Sequence, residues 1–544
     1  MQPSTPDCIL VGYNDVDLGW VDAEIMPYAA ISGGYRHFNA NTVQFQGKRR
    51  HFTDLLNVGL SAERGTPQYL HVAETPNLAC CILKSFLESK GLHAEIVNFF
   101  NKDQERLVDL LSLSPRAVVV PTTLYVNSRP IREIVDFVRR HHDEARIIVG
   151  GPHIFNVCCD HPERNQDTLF HEMGADIFVF DSQGESTLSR ILEELRRPRP
   201  DLSRVPNLIY RDGGGGAKEP SFHRTEREIE NNDLDRNVIR WRSFDQDYIT
   251  PLTWMRTARS CAYNCAFCRY PLLGGPLMLN DISVLEEQFK LLRELGVELI
   301  YFIDDTFNIP LRRFKDLCRM IIRNHFDFKW VCYFRCANAD NESFDLAREA
   351  GCMAAFCGLE SGDPQILKNM NKAAKVEKYK KGIKMLKERD IMVHASFIVG
   401  FPGETRNTAM NTLELIEETA PDFYSVESYF HDPKVPVNER AEEFGLKGSG
   451  YSWEHKTMDW REAADLVELL HRNVKSSALL PLYGCDIWSV PYFLSRGLKR
   501  EQINRFLDLA KRLVLKGFDD PFPDYEEEGR ELAAVFRDQG MRST

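Results

Sequence analysis

The sequence predicts an α/β protein: an N-terminal doubly wound, Rossmann-like domain, then an open, partial (β/α)6 barrel, then a mostly helical C-terminal segment. Three observations predict it. Short β-rich runs at 8–12, 94–99, 117–120, 146–149 and 176–180 alternate with amphipathic stretches such as 77–90 and 130–142. Apolar runs separated by helices belong to parallel sheets covered on both faces. From the β-like run 251–256 onward, βα units repeat, with further strands expected at 299–303, 330–335, 354–359, 391–399 and 423–429. After Asp432 and Pro433 the pattern loosens, with Pro436, Gly445, Gly448 and Gly450 marking loops, and becomes helical at 459–475 and 500–516.

Length and composition bound the rest. A chain of 544 residues exceeds one ordinary core, so several domains are expected: 1–211, a linker at 212–240, a barrel at 241–432 and a tail at 433–544. The linker opens on Asp212-Gly213-Gly214-Gly215-Gly216-Ala217, a composition shift of the kind that marks a boundary. The helix at 77–90 stops at Gly91, a C-cap signal. Residues 15–75 form a long insertion mixing glycines and aromatics, expected to be functional or mobile. Hydrophobic content of 43% and charge of 27% describe a soluble globular protein. A net charge of -12 argues against a general nucleic-acid binder, because phosphate contacts need clustered Lys and Arg. No apolar run reaches membrane-spanning length and residues 1–7 do not resemble a signal peptide, so cytoplasm is the expected compartment and no membrane partner is expected. The 14 cysteines sit mostly in apolar contexts, and the vicinal pairs Cys80/Cys81 and Cys158/Cys159 are expected as reduced core residues.

One stretch carries chemistry on its own. Cys261, Cys265 and Cys268 stand as C-x-x-x-C-x-x-C directly after a strand. A four-iron cluster normally takes four thiolates, so a tight triplet suggests a 4Fe-4S cluster with one iron left open. Structural zinc would need a fourth ligand, and the next cysteine, Cys318, is far along the chain with no histidine beside the triplet. Functional loops of a barrel lie at the C-terminal ends of its strands, where Asp304 and Asp305, Arg335, Glu360 and Ser361, and the run from Ser396 through Gly400 to Glu404 fall. Asp304 and Asp305 read equally as a helix N-cap pair or as ligand contacts, and Glu404 also suits the start of the following helix. In the N-terminal domain the corresponding loops are Pro121-Thr122-Thr123, Gly150-Gly151-Pro152-His153 and Asp181-Ser182-Gln183-Gly184-Glu185-Ser186.

The triplet, with Phe267 just before its last cysteine, resembles the radical S-adenosylmethionine superfamily. The resemblance implies that the open iron chelates S-adenosylmethionine and cleaves it to a 5′-deoxyadenosyl radical. It further implies that Arg335 pairs with the carboxylate of that ligand, a buried salt bridge being the alternative. Glu360 and Ser361 would hold its ribose or methionine end, and Ser396, Gly400 and Glu404, in a segment similar to the G-x-I-x-G-x-x-E element, would line the adenine. The three N-terminal loops resemble the cobalamin-binding domain of one large class of these enzymes, implying contacts from Thr122, Thr123, Gly150, Gly151, Pro152, Ser182, Gly184 and Glu185. Here Ser182-Gln183-Gly184-Glu185 stands where the family usually has G-E-G-E, and the D-x-H-x-x-G motif is absent, so His153 is expected to hydrogen-bond locally and to leave cobalt alone.

The function implied is a radical methyltransferase using methylcobalamin to methylate an unactivated carbon or phosphinate phosphorus of a natural-product intermediate. Its partners would be a small-molecule or peptide substrate and an electron donor such as flavodoxin or ferredoxin. Two alternatives stand beside it: a non-methylating rearrangement or cyclisation with the same cofactors, and an iron-sulfur redox carrier or sensor. In the tail, Trp453 and His455 read either as substrate contacts or as a surface loop, and 524–528 as a solvated acidic face.

Overall fold

The computed structural model describes residues 5–211, 222–520 and 525–537; the glycine run 212–217 lies outside them. The chain divides into two compact units, one of residues 1–16, 73–254 and 283–297, the other of 17–72, 255–282 and 298–544.

In the first unit a seven-stranded sheet runs in the order Ala94–Phe99, Cys8–Tyr13, Ala117–Pro121, Arg146–Gly150, Ile177–Val179, Leu208–Tyr210, His223–Arg224. The first five strands pair in parallel and the last two antiparallel. Ile9, Val11, Val118, Val120, Ile147 and Val149 are buried against Ile131, Ile134 and Val138 of the helix Arg129–His141. This is the continuous apolar pattern of a sheet covered on both faces. The helix Leu78–Ser89 begins at Asn77, whose side chain accepts from Cys80 N at 3.1 Å, and ends before Gly91 at φ +73°. The antiparallel edge was not foreseen, because strands of three and two residues are too short to show a period.

A second seven-stranded sheet, that of the barrel, runs in chain order: Leu252–Met255, Leu299–Phe302, Lys329–Tyr333, Cys352–Glu360, Met392–Val399, Phe423–Ser428 and Ala478–Leu479. The pairs from Leu299–Phe302 onward are parallel. There are thus seven strands where six were expected, and the barrel sheet draws its last strand from beyond residue 432. Trp330 is fully buried at its centre, with its ring against Phe302, Phe307 and Phe314 and its Nε1 donating to Ala350 O at 2.7 Å.

The insertion departs most from expectation. Residues 17–72 carry the helices Leu18–Ile25, Gly34–Asn41 and Phe52–Arg64 and a hairpin of Val43–Phe45 with Lys48–Arg50. They belong to the barrel unit, so the expected domain of 1–211 is interrupted. The helix Phe52–Arg64 buries Leu55, Leu56 and Leu60. At Gly59 an added Cβ would stand 2.6 Å from the Phe536 ring. Its cover comes from the far end of the chain, which local sequence cannot reveal. In the tail, the helices Trp460–Asn473 and Arg500–Asp519 form as expected, while a three-stranded sheet of Lys447–Ser449, Ser452–His455 and Met458–Asp459 replaces expected loops. Within the acidic stretch Glu528 is buried and pairs with Lys516, so that position is no solvated face; Asp524 lies outside the described residues.

Trp330→Ala removes the ring on which Phe302, Phe307 and Phe314 pack and leaves Ala350 O without its indole donor. It should lower stability by about 3–5 kcal/mol, read as a shifted urea midpoint at unchanged slope.

Candidate active site

The cysteine loop is built from its entry outward. Asp304, at the end of Leu299–Phe302, is buried and turns back onto the chain before the triplet, accepting from Thr257 N at 2.6 Å and Ala258 N at 3.0 Å. Arg313 adds a bond to Thr257 O at 3.0 Å. Asp304 therefore does not cap the following helix: Oδ1 is held by the two amides and Oδ2 by the Thr257 hydroxyl. Ser260, next to Cys261, sits at φ +72°, a conformation that costs a non-glycine residue energy and is held here by the surrounding bonds. Beyond the entry, Ala266 N donates to Met370 O at 2.8 Å, Val437 N to Ala266 O at 2.9 Å, and Asn371 Nδ2 to Asn264 O at 2.7 Å.

Cys265 is buried and Cys261 and Cys268 are half-buried. Burial and the other two thiols push Cys268 up to about 11, so the three sulfurs feel one another. Among the described residues no set of His, Cys, Asp or Glu side chains is gathered tightly enough for a single ion. A cube of iron and sulfide spreads its thiolates wider than one ion does.

Two cations stand beside the loop. The Arg335 guanidinium lies 3.6 Å from the centre of the Tyr263 ring, with Nη1 4.0 Å from Cys265 Sγ, and its Nη2 donates to Lys372 O. No carboxylate among the described residues pairs with it, so the salt-bridge alternative falls away. Lys372 is buried and pairs with Glu360 at 2.7 Å. Glu360 ends the strand Cys352–Glu360 at φ +67°. Lys372 was not singled out from sequence, where it is one lysine in a basic stretch. Asp305 is open to solvent on one side, but the packed wall behind it and the charge of Asp304 push its carboxyl up to about 6.

Other expected contacts turn inward. Ser361 is fully buried, its Oγ accepting from Asp363 N at 3.1 Å. Ser396 is buried within the strand Met392–Val399, opposite Ser425. Glu404 is buried and folds back on its own loop, Oε2 accepting from Gly400 N at 2.5 Å, while Thr405 caps the next helix. Burial pushes Glu404 up to about 8. Gly400, at φ +98°, is pressed by Trp453, whose Nε1 donates to Tyr429 O at 2.7 Å; His455 stacks on Trp453 and bonds Gly400 O at 3.1 Å. Trp453 and His455 are thus buried supports of this loop and no surface loop.

The N-terminal loops, considered within their own unit, are also largely self-satisfied. Thr122 is buried, its Oγ1 donating to Gly150 O at 2.9 Å and accepting from His153 N. Gly151 needs its φ of +104°, and a Cβ there would meet Thr122 Oγ1 at 3.1 Å. Gly150 lies against Val179, and Pro152 opens the helix Pro152–Asp160. His153 contacts Ser128 Oγ at 3.1 Å, the local bond expected of it. Gly184, at φ +84°, precedes the helix Glu185–Leu195, whose first amides are taken by Glu230, from Ser186 N at 2.9 Å and Thr187 N at 2.7 Å. Glu185 accepts from Asn232 at 2.7 Å. Thr123 and Ser182 remain open, with Leu124 and Val126 exposed beside Thr123.

Residues 255–416 match the model of the Radical SAM superfamily. This stretch is a radical SAM domain. The chain is 25% identical over 293 residues to an uncharacterized methyltransferase of Pyrococcus horikoshii, covering 53% of this chain and 61% of that one. It is 28% identical over 242 residues to an anaerobic magnesium-protoporphyrin IX monomethyl ester cyclase of Cereibacter sphaeroides, covering 43% of this chain and 39% of that one. The chain thus spans less than two thirds of either relative. A solved radical S-adenosylmethionine methyltransferase, TsrM from Kitasatospora setae, shares the fold with a TM-score of 0.60 at 18% identity, over 81% of this chain and 96% of that one. No helix among the described residues is long and apolar enough to cross a membrane.

Because Glu404 holds its proton more tightly folded than unfolded, the folded state binds the extra proton between the ordinary carboxylate range and about 8. Stability should fall as pH rises through that window. Glu404→Gln, which can still accept from Gly400, should flatten melting temperature against pH there, removing a loss of at most roughly 5 kcal/mol.

Proposed function

We propose that the chain is a radical S-adenosylmethionine methyltransferase working with cobalamin, acting on an unactivated carbon or a phosphinate phosphorus of a small natural-product intermediate. The observation that carries this reading is the single clamped loop presenting Cys261, Cys265 and Cys268 beside Arg335 and Lys372 at the mouth of the barrel. Three soft thiolates with cations at their side suit an iron-sulfur cluster. The TsrM structures are described with cobalamin, a [4Fe-4S] cluster and a S-adenosylmethionine analogue, which supports the same set of cofactors here. When bound, the cluster would supply the electron that splits S-adenosylmethionine and cobalamin would supply the methyl group.

The chain's own residues place and screen. Arg335, its Nη2 bonded to Lys372 O and its Nε to Asn338, offers its charge and its remaining N–H groups to the carboxylate of S-adenosylmethionine. Glu360, neutralised by Lys372, offers its free oxygen to the ammonium or ribose end. Asp305 stands at the rim, and the Gly400 loop, its amide held by Glu404 and its carbonyl by His455, shapes the wall beside the adenine. Thr123 and Ser182, with the apolar Leu124 and Val126, suit the mixed polar and apolar surface of cobalamin. The partners in this reading are a small-molecule or peptide substrate and a low-potential electron donor such as flavodoxin or ferredoxin. A second reading, cyclisation with the same cofactors, is favoured by the similarity to the cyclase.

The test is anaerobic reconstitution with iron, sulfide, hydroxocobalamin and methyl-labelled S-adenosylmethionine under a chemical reductant. We expect 5′-deoxyadenosine, a cobalt spectrum and label in the product; a product without label assigns the cyclase reading. Cys265→Ala should reduce 5′-deoxyadenosine to background, and undiminished release would contradict the cluster assignment. Lys372→Met leaves Glu360 charged and unpaired, so it should cost about 3–5 kcal/mol of stability, while Lys372→Met with Glu360→Gln recovers most of that loss without restoring S-adenosylmethionine binding.

A further inference from the structure

Inside the barrel the strand Phe423–Ser428 carries a carboxyl that the reaction described so far does not use. Alternate residues of a strand share a face. Tyr424 turns outward to His471 of the helix Trp460–Asn473, at 3.3 Å, whereas Ser425 turns to His394 on the neighbouring strand, at 3.2 Å. The face of Ser425 continues through the rings of His394, Phe356 and Tyr333, centred 4.8 and 5.1 Å apart in turn. Glu427 is on that interior face, one step nearer the C-terminal ends of the strands, where barrel enzymes act. Just beyond it, Tyr429 packs on Phe401 at 5.3 Å and Phe401 on Phe267 of the cysteine loop at 6.4 Å.

The surroundings of Glu427 are aromatic and neutral. Its Oε2 accepts from Asn41 Nδ2 at 3.1 Å and lies 3.3 Å from His37 Nδ1. His37 stacks on Tyr451 at 4.6 Å and meets Tyr483 edge-on at 6.1 Å, and Phe430 stands edge-on to Tyr451 at 5.1 Å. Tyr483 and Phe430 are 49% and 55% exposed, so the cluster opens to solvent instead of closing into a core. Among the described residues no Lys or Arg pairs with Glu427. Burial drives His37 down to about 4, which leaves it uncharged, and pushes Glu427 up to about 7. A carboxylate desolvated without a compensating cation is costly to hold, and aromatic faces around it attract cations.

We infer that Glu427, with His37, Tyr451, Tyr483 and Phe430 around it, is a receptor for a protonated amine on the substrate. This rests on the proposed function and deepens it: the molecule acted on carries an organic ammonium, anchored on the sixth strand while its reacting atom faces the cysteine-loop end of the barrel. A purely structural Glu427–Asn41 bond would leave the rings buried and the carboxyl indifferent to added amines.

The experiment is calorimetric titration of the full chain, reconstituted with cluster and S-adenosylmethionine, with 2-phenylethylamine, 3-phenylpropanamide and 3-phenylpropionate. The amine should bind about tenfold or more tightly than the amide or the acid. Glu427→Gln should abolish that preference, and Tyr483→Leu should weaken the amine several-fold at an unchanged melting temperature. Equal binding of the three probes, or a preference that survives Glu427→Gln, overturns the inference. Release of 5′-deoxyadenosine by the unsubstituted preparation separates the two ideas: with it present, missing amine preference removes the cation site alone, and with it absent the cluster reading fails first.

Discussion

The geometry of the cysteine loop depends on one buried carboxylate. Asp304 receives two backbone N–H groups, from Thr257 and Ala258, and so fixes the point at which the chain leaves the first barrel strand for the triplet. Taking a carboxylate out of water is expensive. Here the cost is offset by charge-assisted bonds to amides that would otherwise lack partners, and by Arg313, which binds the same segment from the following helix. The loop beyond needs few internal constraints because both its ends are held from outside, by Asp304 at one side and by Met370, Asn371 and Val437 at the other.

The distribution of charge around the mouth follows from what three thiolates require. Burial, and after it the charges of the other two sulfurs and of Asp305, make Cys268 resist ionisation. Of the cations at this loop, Arg335 lies by Cys265 Sγ and Lys372 over the Phe267 ring. The acids divide accordingly. Glu360 is neutralised by Lys372, Asp304 is spent on two backbone amides and the Thr257 hydroxyl, and Glu404 and Glu427, desolvated by burial, hold their protons toward neutral pH. Asp305, at the rim, is the acid whose charge reaches Cys268.

Much of this was legible in the sequence, for a physical reason. Strands buried on both faces are apolar throughout, so Ala117–Pro121, Arg146–Gly150 and Met392–Val399 are apparent without any structure. Three cysteines within eight residues announce metal chemistry. What the sequence hid was long-range. The segment 17–72 packs on helices near residue 530, Lys372 acquires meaning from Glu360 and Arg335, and Glu427 from Asn41 and His37, hundreds of residues away. Ala478–Leu479 is a strand only because Phe423–Ser428 is there to pair with it.

The glycine-rich loops show why a correct motif can still misassign a contact. A glycine with no room for a Cβ states that another group approaches the backbone closely; it does not state which group. At Gly400 the group is the Trp453 indole, 2.5 Å from where a Cβ would be, and at Gly151 it is the Thr122 hydroxyl at 3.1 Å. The acids and hydroxyls of the same motifs, Glu404, Glu185 and Thr122, are spent on holding these loops in shape. What they fix is therefore backbone position. Thr123, Ser182 and the second oxygen of Glu360, by contrast, are groups whose bonds are not already taken within the fold.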